Sequence, residues 1–155
     1  MSEVSNPPTE IDAERFRVTR TVMIAATQDR VWKAITRPEH IAKWSSFTPS
    51  MDRIAVGGAG AWAFPTIGSM PIAIEAMDPP ASITYRWSAP GFAQVDPVLS
   101  TVFQFTLTPV AHGTQLTVVE TGFERLADPA TEMVNHARGW DSGLDSLAAC
   151  PLEET

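Results

Sequence analysis

A chain of 155 residues is long enough to bury roughly 70% of its unfolded surface around one core, so it reads as a single domain. Its formal charge of -7 repels phosphate backbones and anionic lipid, and no cluster of Lys or Arg offsets this locally, which argues against nucleic acid as a partner. No run of eighteen apolar residues could span a membrane, and the first ten residues lack the basic start and apolar run of a secretory signal. The expected setting is cytoplasmic, with the single Cys150 a free thiol beside Pro151.

The polar opening, with Pro7-Pro8, reads as a flexible tail over residues 1–13, followed by a domain over 14–150 and a short tail over 151–155. From Phe16 to Ile24 the chain alternates, with Phe16, Val18, Val22 and Ile24 on one face and Arg20 in the same apolar phase. Thr27 is placed to cap a helix through Ile35, with Val31, Trp32 and Ile35 as its apolar stripe, and Pro38 to open a second short helix ending near Trp44. Six strands are then predicted, over Met51 to Val56, Ala61 to Ile67, Met70 to Met77, Ser82 to Ser88, Ser100 to Pro109 and Thr114 to Phe123. Glycine and proline turns punctuate them. Asp128-Pro129 opens a final helix from Ala130 to Ala149, whose stripe is Met133, Ala137, Trp140, Leu144 and Leu147.

On the last strand Leu116, Val118 and Glu120 share one face. If the helix covers that face, Glu120 is a carboxylate aimed into an apolar interior, and it must find a partner or stay protonated. The inward phases also collect Trp62, Phe64, Ile74, Tyr85, Trp87, Phe103 and Phe105, with Trp44 and Trp140 from the helical segments. Such a set builds either a solid core or the lining of a pocket for an apolar molecule. Gly139 and Gly143, one turn apart inside the helix, cost about 1 kcal/mol each relative to Ala, which points to close packing or vacant space beside that wall. His136 lies one turn before Trp140, at the edge of the stripe. The three histidines lack metal-ligand spacing, so no metal is expected. The loose glycine pattern from Gly58 leads into a strand, not a helix N-terminus, so no dinucleotide cofactor is expected either.

The ordered set Thr19-Arg20-Thr21-Val22-Met23-Ile24, Val31-Trp32, the Pro38 to Trp44 segment, Gly113 to Phe123, and Gly139-Trp140 with Leu144 and Leu147 resembles the SRPBCC superfamily, in the branch of the activator of Hsp90 ATPase. The resemblance implies an α+β helix-grip fold of the Bet v 1-like or START-like kind. In that fold a curved antiparallel sheet wraps a long C-terminal helix, two short helices follow the first strand, and a cavity lies between sheet and helix. Many relatives carry a second Trp where this chain has Ser45, which leaves more room or polarity there.

The resemblance also makes the first and last strands neighbours, so Arg20 is expected to pair with Glu120, structurally or as an anchor for a ligand. The implied function is binding of a small, largely apolar molecule by Arg20, Trp44, Trp62, Phe64, Ile74, Tyr85, Trp87, Phe103, Phe105, Glu120, His136 and Trp140. An enzyme resembling polyketide cyclases and aromatases is the second reading, with Glu120, Tyr85 and His136 as acid/base candidates. A co-chaperone or other protein-interaction module ranks third, with no protein partner specified.

Overall fold

Alternating stretches of the sequence become strands whose apolar phase is buried. The computed structural model describes residues 6–152. Its strands are β1 (Glu10–Asp12), β2 (Arg17–Ile24), β3 (Thr48–Met51), β4 (Ala59–Phe64), β5 (Gly68–Asp78), β6 (Ser82–Trp87), β7 (Thr101–Val110) and β8 (Gly113–Thr121). Its helices are α1 (Gln28–Thr36), α2 (Pro38–Ile41) and α3 (Pro129–Ala149). All eight strands join one antiparallel sheet in the order β1-β2-β8-β7-β6-β5-β4-β3. This sheet, the long C-terminal helix and the two short helices after β2 make the helix-grip fold.

The helices start where the local chemistry places them. The Thr27 side chain accepts from the Arg30 N–H, Pro38 occupies the first turn of α2, and Asp128 accepts from the Thr131 N–H to cap α3. The α3 stripe Met133, Ala137, Trp140, Leu144 and Leu147 is buried as the spacing predicts, and it closes over the inward faces of β2, β8 and β7. On those strands Val18, Val22, Phe103, Phe105, Leu116 and Val118 are fully buried. Burial of such side chains contributes about 1.5–3 kcal/mol each.

The strand expected over Ala61 to Ile67 is Ala59–Phe64, the helix expected to end near Trp44 ends at Ile41, and two further boundaries differ for a visible reason. The strand predicted over Met51 to Val56 forms earlier, at Thr48–Met51, because Asp52 turns the chain. Its N–H donates to the Ala59 carbonyl at 3.0 Å and its Oδ1 accepts from the Ala59 N–H at 2.9 Å. The last strand stops at Thr121, because Gly122 adopts a φ of 101° and Phe123 enters a single 3-10 turn, fully buried.

The segment expected as a tail departs from that reading from residue 6 onward. Glu10–Asp12 pairs with Arg17–Thr19, the Thr9 N–H and hydroxyl both donate to Asp141 Oδ1 at 2.7 Å, and the Pro7 carbonyl accepts from Arg20 Nε at 3.0 Å. Polar residues that would suit solvent instead satisfy charged groups of β2 and α3. The tail expectation for residues 1–5 and 153–155 lies outside the described residues.

Candidate functional site

A cavity of about 930 Å³ opens between α3 and the β4–β7 half of the sheet. Trp44, Phe47, Trp62, Phe64, Trp87 and Trp140 form its aromatic walls, and Ile67, Phe92 and Leu99 its partly exposed apolar mouth. Phe47 stacks on Trp62 at a centroid distance of 4.5 Å, and Trp87 packs against Trp140 at 5.9 Å. These rings are braced from behind. The Trp44 indole donates to the Ala34 carbonyl at 2.8 Å, and the Ser146 hydroxyl donates to the Trp44 carbonyl at 2.6 Å.

The helix side of the cavity is bare where the two glycines fall. A Cβ built on Gly139 would meet nothing within 4 Å, and one on Gly143 would meet only the Trp44 ring, at 3.7 Å. Neither glycine has the left-handed backbone that would require it; Gly143 leaves space against the Trp44 ring, and Gly139 is exposed at the rim of the cavity. Vacant space beside α3, not close packing, is the outcome of the two alternatives left open by the sequence.

Glu120 sits one layer behind the lining and is fully buried. It pairs across the ladder with Val18 on β2 and Phe103 on β7, yet its carboxylate is saturated by donors. Oε2 accepts from the Thr101 hydroxyl at 2.5 Å, the Trp87 indole at 2.9 Å and His136 Nδ1 at 2.8 Å, while Oε1 accepts from the Trp140 indole at 2.9 Å. Burial alone would push this carboxyl up; the His136 charge and the hydrogen bonds from His136, Thr101 and Trp87 outweigh it and hold Glu120 below the usual carboxylate range.

His136 is the other half of the pair. Its ring is wedged between Trp87 and Phe123, with centroid distances of 5.6 and 5.1 Å and both contacts edge-on. Burial works against its charge, but the facing Glu120 carboxylate, aided by Glu132, pushes its pKa up to about 10. At neutral pH the ring is an imidazolium whose Nδ1–H is committed to Glu120. Its Nε2 lies 3.6 Å from Glu132 Oε2, and both residues line the cavity. The facing His136, 3.6 Å away, more than offsets burial at Glu132 and holds its carboxyl low.

The expected Arg20–Glu120 pair does not form. The strands are neighbours and Arg20 is buried, but its guanidinium runs away from the cavity to α3. Nη2 meets Asp145 Oδ1 at 2.6 Å, and Nη1 donates to the Trp140 and Asp141 carbonyls at 3.1 and 2.9 Å. The physical reason is saturation: Glu120 already has four donors, and Asp141 and Asp145, one turn apart on α3, offer Arg20 a carboxylate lining of its own.

Of the other expected residues, Trp44, Trp62, Phe64, Trp87, His136 and Trp140 meet at the cavity, whereas Ile74, Tyr85, Phe103 and Phe105 pack in the core behind it. The Tyr85 hydroxyl donates to the Ile35 carbonyl at 2.7 Å and burial pushes its pKa up, so it holds the end of α1. Ser45 is also outside the lining, its hydroxyl donating to the Phe47 carbonyl at 3.0 Å. Phe47, Thr101 and Glu132 escaped the sequence reading. Glu132 alone carried a usable signal, its i, i+4 spacing from His136.

Among the described residues no helix is long and apolar enough to cross a membrane. The profile of the activator of Hsp90 ATPase homolog 1-like protein family matches residues 25–150. Protein MLL2253 from Mesorhizobium loti is 26% identical with a TM-score of 0.70, over 85% of this chain and 93% of that one. DynU16, a protein in the dynemicin biosynthetic locus, is also 26% identical, with a TM-score of 0.68 over 85% of this chain and 45% of its own. Ms6760 from Mycobacterium smegmatis shares the fold at 19% identity, with a TM-score of 0.71 over 94% and 96% of the two chains. No curated protein matches the sequence. The profile match spans most of the chain and every element that frames the cavity from α1 to α3, so the protein belongs to the activator of Hsp90 ATPase homolog 1-like branch of the SRPBCC superfamily.

Proposed function

We propose that this protein binds a small, largely apolar, ring-bearing molecule in the cavity between sheet and α3. The observation that carries this reading is the pairing of aromatic walls with two helix positions that lack side chains. A self-filling core would place a side chain where Gly143 leaves room against Trp44, and tight packing would leave no space of 930 Å³. Apolar walls with a few polar groups gathered on one side are what ligand sites of this size look like. The ion pair of Glu120 and His136 gives that polar side a fixed geometry, because three of the four donors into Glu120 are lining rings.

A neutral polarity-sensitive dye such as Nile red tests this directly. The wild type should bind one equivalent saturably with a blue-shifted emission, and Gly139→Leu, which fills the cavity from the helix side, should weaken binding at least about tenfold. Equal affinity in the two proteins would place the dye elsewhere and sink the reading.

An enzyme using the same cavity is the second reading, favoured by one observation: His136 presents a proton-bearing nitrogen to the cavity while its other nitrogen is oriented by a buried carboxylate. The similarity to DynU16, from a biosynthetic locus, is in keeping with it. Of the acid/base candidates from the sequence, His136 is the one that lines the cavity. If there is turnover, His136→Gln should abolish it while Tyr85→Phe leaves it intact; the reverse result would discard this reading.

A further inference from the structure

The polar side of the cavity has a donor and an acceptor next to each other, both facing the space. His136 Nδ1 is committed to Glu120, so the ring cannot turn without breaking a 2.8 Å hydrogen bond inside the protein. Its Nε2 makes only a long contact, 3.6 Å to Glu132 Oε2, just outside ordinary hydrogen-bond distance. The His136 side chain is 14% exposed and Glu132 37%, so the ring is held on the inner side and the carboxylate has solvent beside it. A fixed donor and a movable carboxylate, both bordered by flat rings, form a recognisable half-site.

We propose that His136 and Glu132 together anchor an aryl hydroxyl, the ligand oxygen accepting from His136 Nε2–H and donating to Glu132 Oε2. A hydroxyl is the smallest group that does both. Contacts of about 2.9 Å to the nitrogen and about 2.7 Å to the carboxylate would set the two side-chain atoms roughly 4–4.5 Å apart at a normal hydroxyl angle. Glu132 reaches that spacing by swinging out by about 1 Å toward solvent. A free anion fits less well, because Glu120, His136 and Glu132 already sum to a net charge of -1 and a second negative group would face Glu132. An ether or ketone could accept from His136 but would leave Glu132 facing a lone pair. The ring that carries the hydroxyl would lie against Trp87, which touches His136, and its neighbour Trp140, both in the cavity lining.

This inference rests on the ligand-binding reading above, and three probes separate the two. Naphthalene, 2-methoxynaphthalene and 2-naphthol share one ring system and differ in carrying no oxygen, an acceptor only, or an acceptor and a donor. Titration of the full chain, followed by quenching of tryptophan fluorescence, should give saturable binding of all three, with 2-naphthol at least about tenfold tighter than 2-methoxynaphthalene. In Glu132→Leu, a half-exposed position whose change leaves the Glu120 network intact, that preference should fall to within about twofold while naphthalene binding is kept. Binding of all three with equal affinity in the wild type would overturn the hydroxyl anchor and leave the cavity reading standing. A preference for 2-naphthol that survives in Glu132→Leu would overturn the assignment to this pair. Failure of all three to bind would overturn both.

Discussion

Replacing Glu120 by Gln removes one negative charge and keeps the shape, so its cost isolates what the carboxylate does. Oε2 takes three donors and Oε1 one. The amide oxygen best occupies the Oε2 place, which turns the new NH2 toward the Trp140 indole N–H, donor against donor. His136 is left with only the more distant, partly exposed Glu132 as counter-charge. Breaking a buried ion pair from one side costs about 3–5 kcal/mol, and His136 can limit the loss only by shedding its proton. We therefore expect Glu120→Gln to lose about 3–5 kcal/mol at neutral pH.

The pH dependence makes the reasoning specific. His136 has a folded pKa of about 10, above its ordinary 6.5, so its stabilisation is fully present below pH 6.5 and is lost as pH rises through 10. Glu120 is held below its ordinary 4.5, so its stabilisation is present above pH 4.5 and is lost as pH falls through its lowered value. Wild-type stability should fall steadily between pH 6.5 and 10, and Glu120→Gln should flatten that slope because the carboxylate that raises His136 most is gone. Urea unfolding followed by tryptophan fluorescence at several pH values measures both quantities. A loss under about 1 kcal/mol, or an unchanged slope in the variant, would refute the account of the pair. For the same reason, activity lost in Glu120→Gln would report the fold as much as the chemistry.

Three further outcomes are expected. Gly139→Leu should unfold at higher urea than the wild type, by about 0.5–1 kcal/mol from helix propensity alone, since its side chain enters empty space; a marked loss of stability would show that the space is not there. Tyr85→Phe should cost about 1–2 kcal/mol through the orphaned Ile35 carbonyl and leave dye affinity within twofold, and a large affinity change would return Tyr85 to the site. Arg20→Met should cost about 2–3 kcal/mol, below the full loss for a buried pair because Asp141 and Asp145 stay in contact with water; hydrogen exchange should then show faster opening of β1, and unchanged protection there would contradict a role for the Arg20–Pro7 contact in holding that segment.

Alternation from Gly113 to Thr121 placed Glu120 inside, and the four-three spacing on α3 placed the helix against it, because both signals are local and periodic. The two glycines were legible as a question, and only the positions of the strands answered it. The partners of Glu120 were not legible: Trp87, Thr101, His136 and Trp140 come from three elements, and their meeting depends on register, with Trp87 paired to Thr101 and Phe103 paired to Glu120. Arg20 shows the limit of phase arguments. Two inward charged residues on adjacent strands need not meet when a helix crosses between them carrying acids of its own. Tyr85, Phe103 and Phe105 share the phase of Trp87, but phase says which face a side chain takes and not how far along the strand the cavity extends.

The most direct test of a ligand-holding cavity is native mass spectrometry of the wild type and Gly139→Leu purified in parallel from the protein's own host, followed by denaturing release of whatever is bound. The account predicts a small molecule at one per chain in the wild type and its absence from the variant. No bound molecule in either protein, or the same molecule at the same occupancy in both, would contradict it.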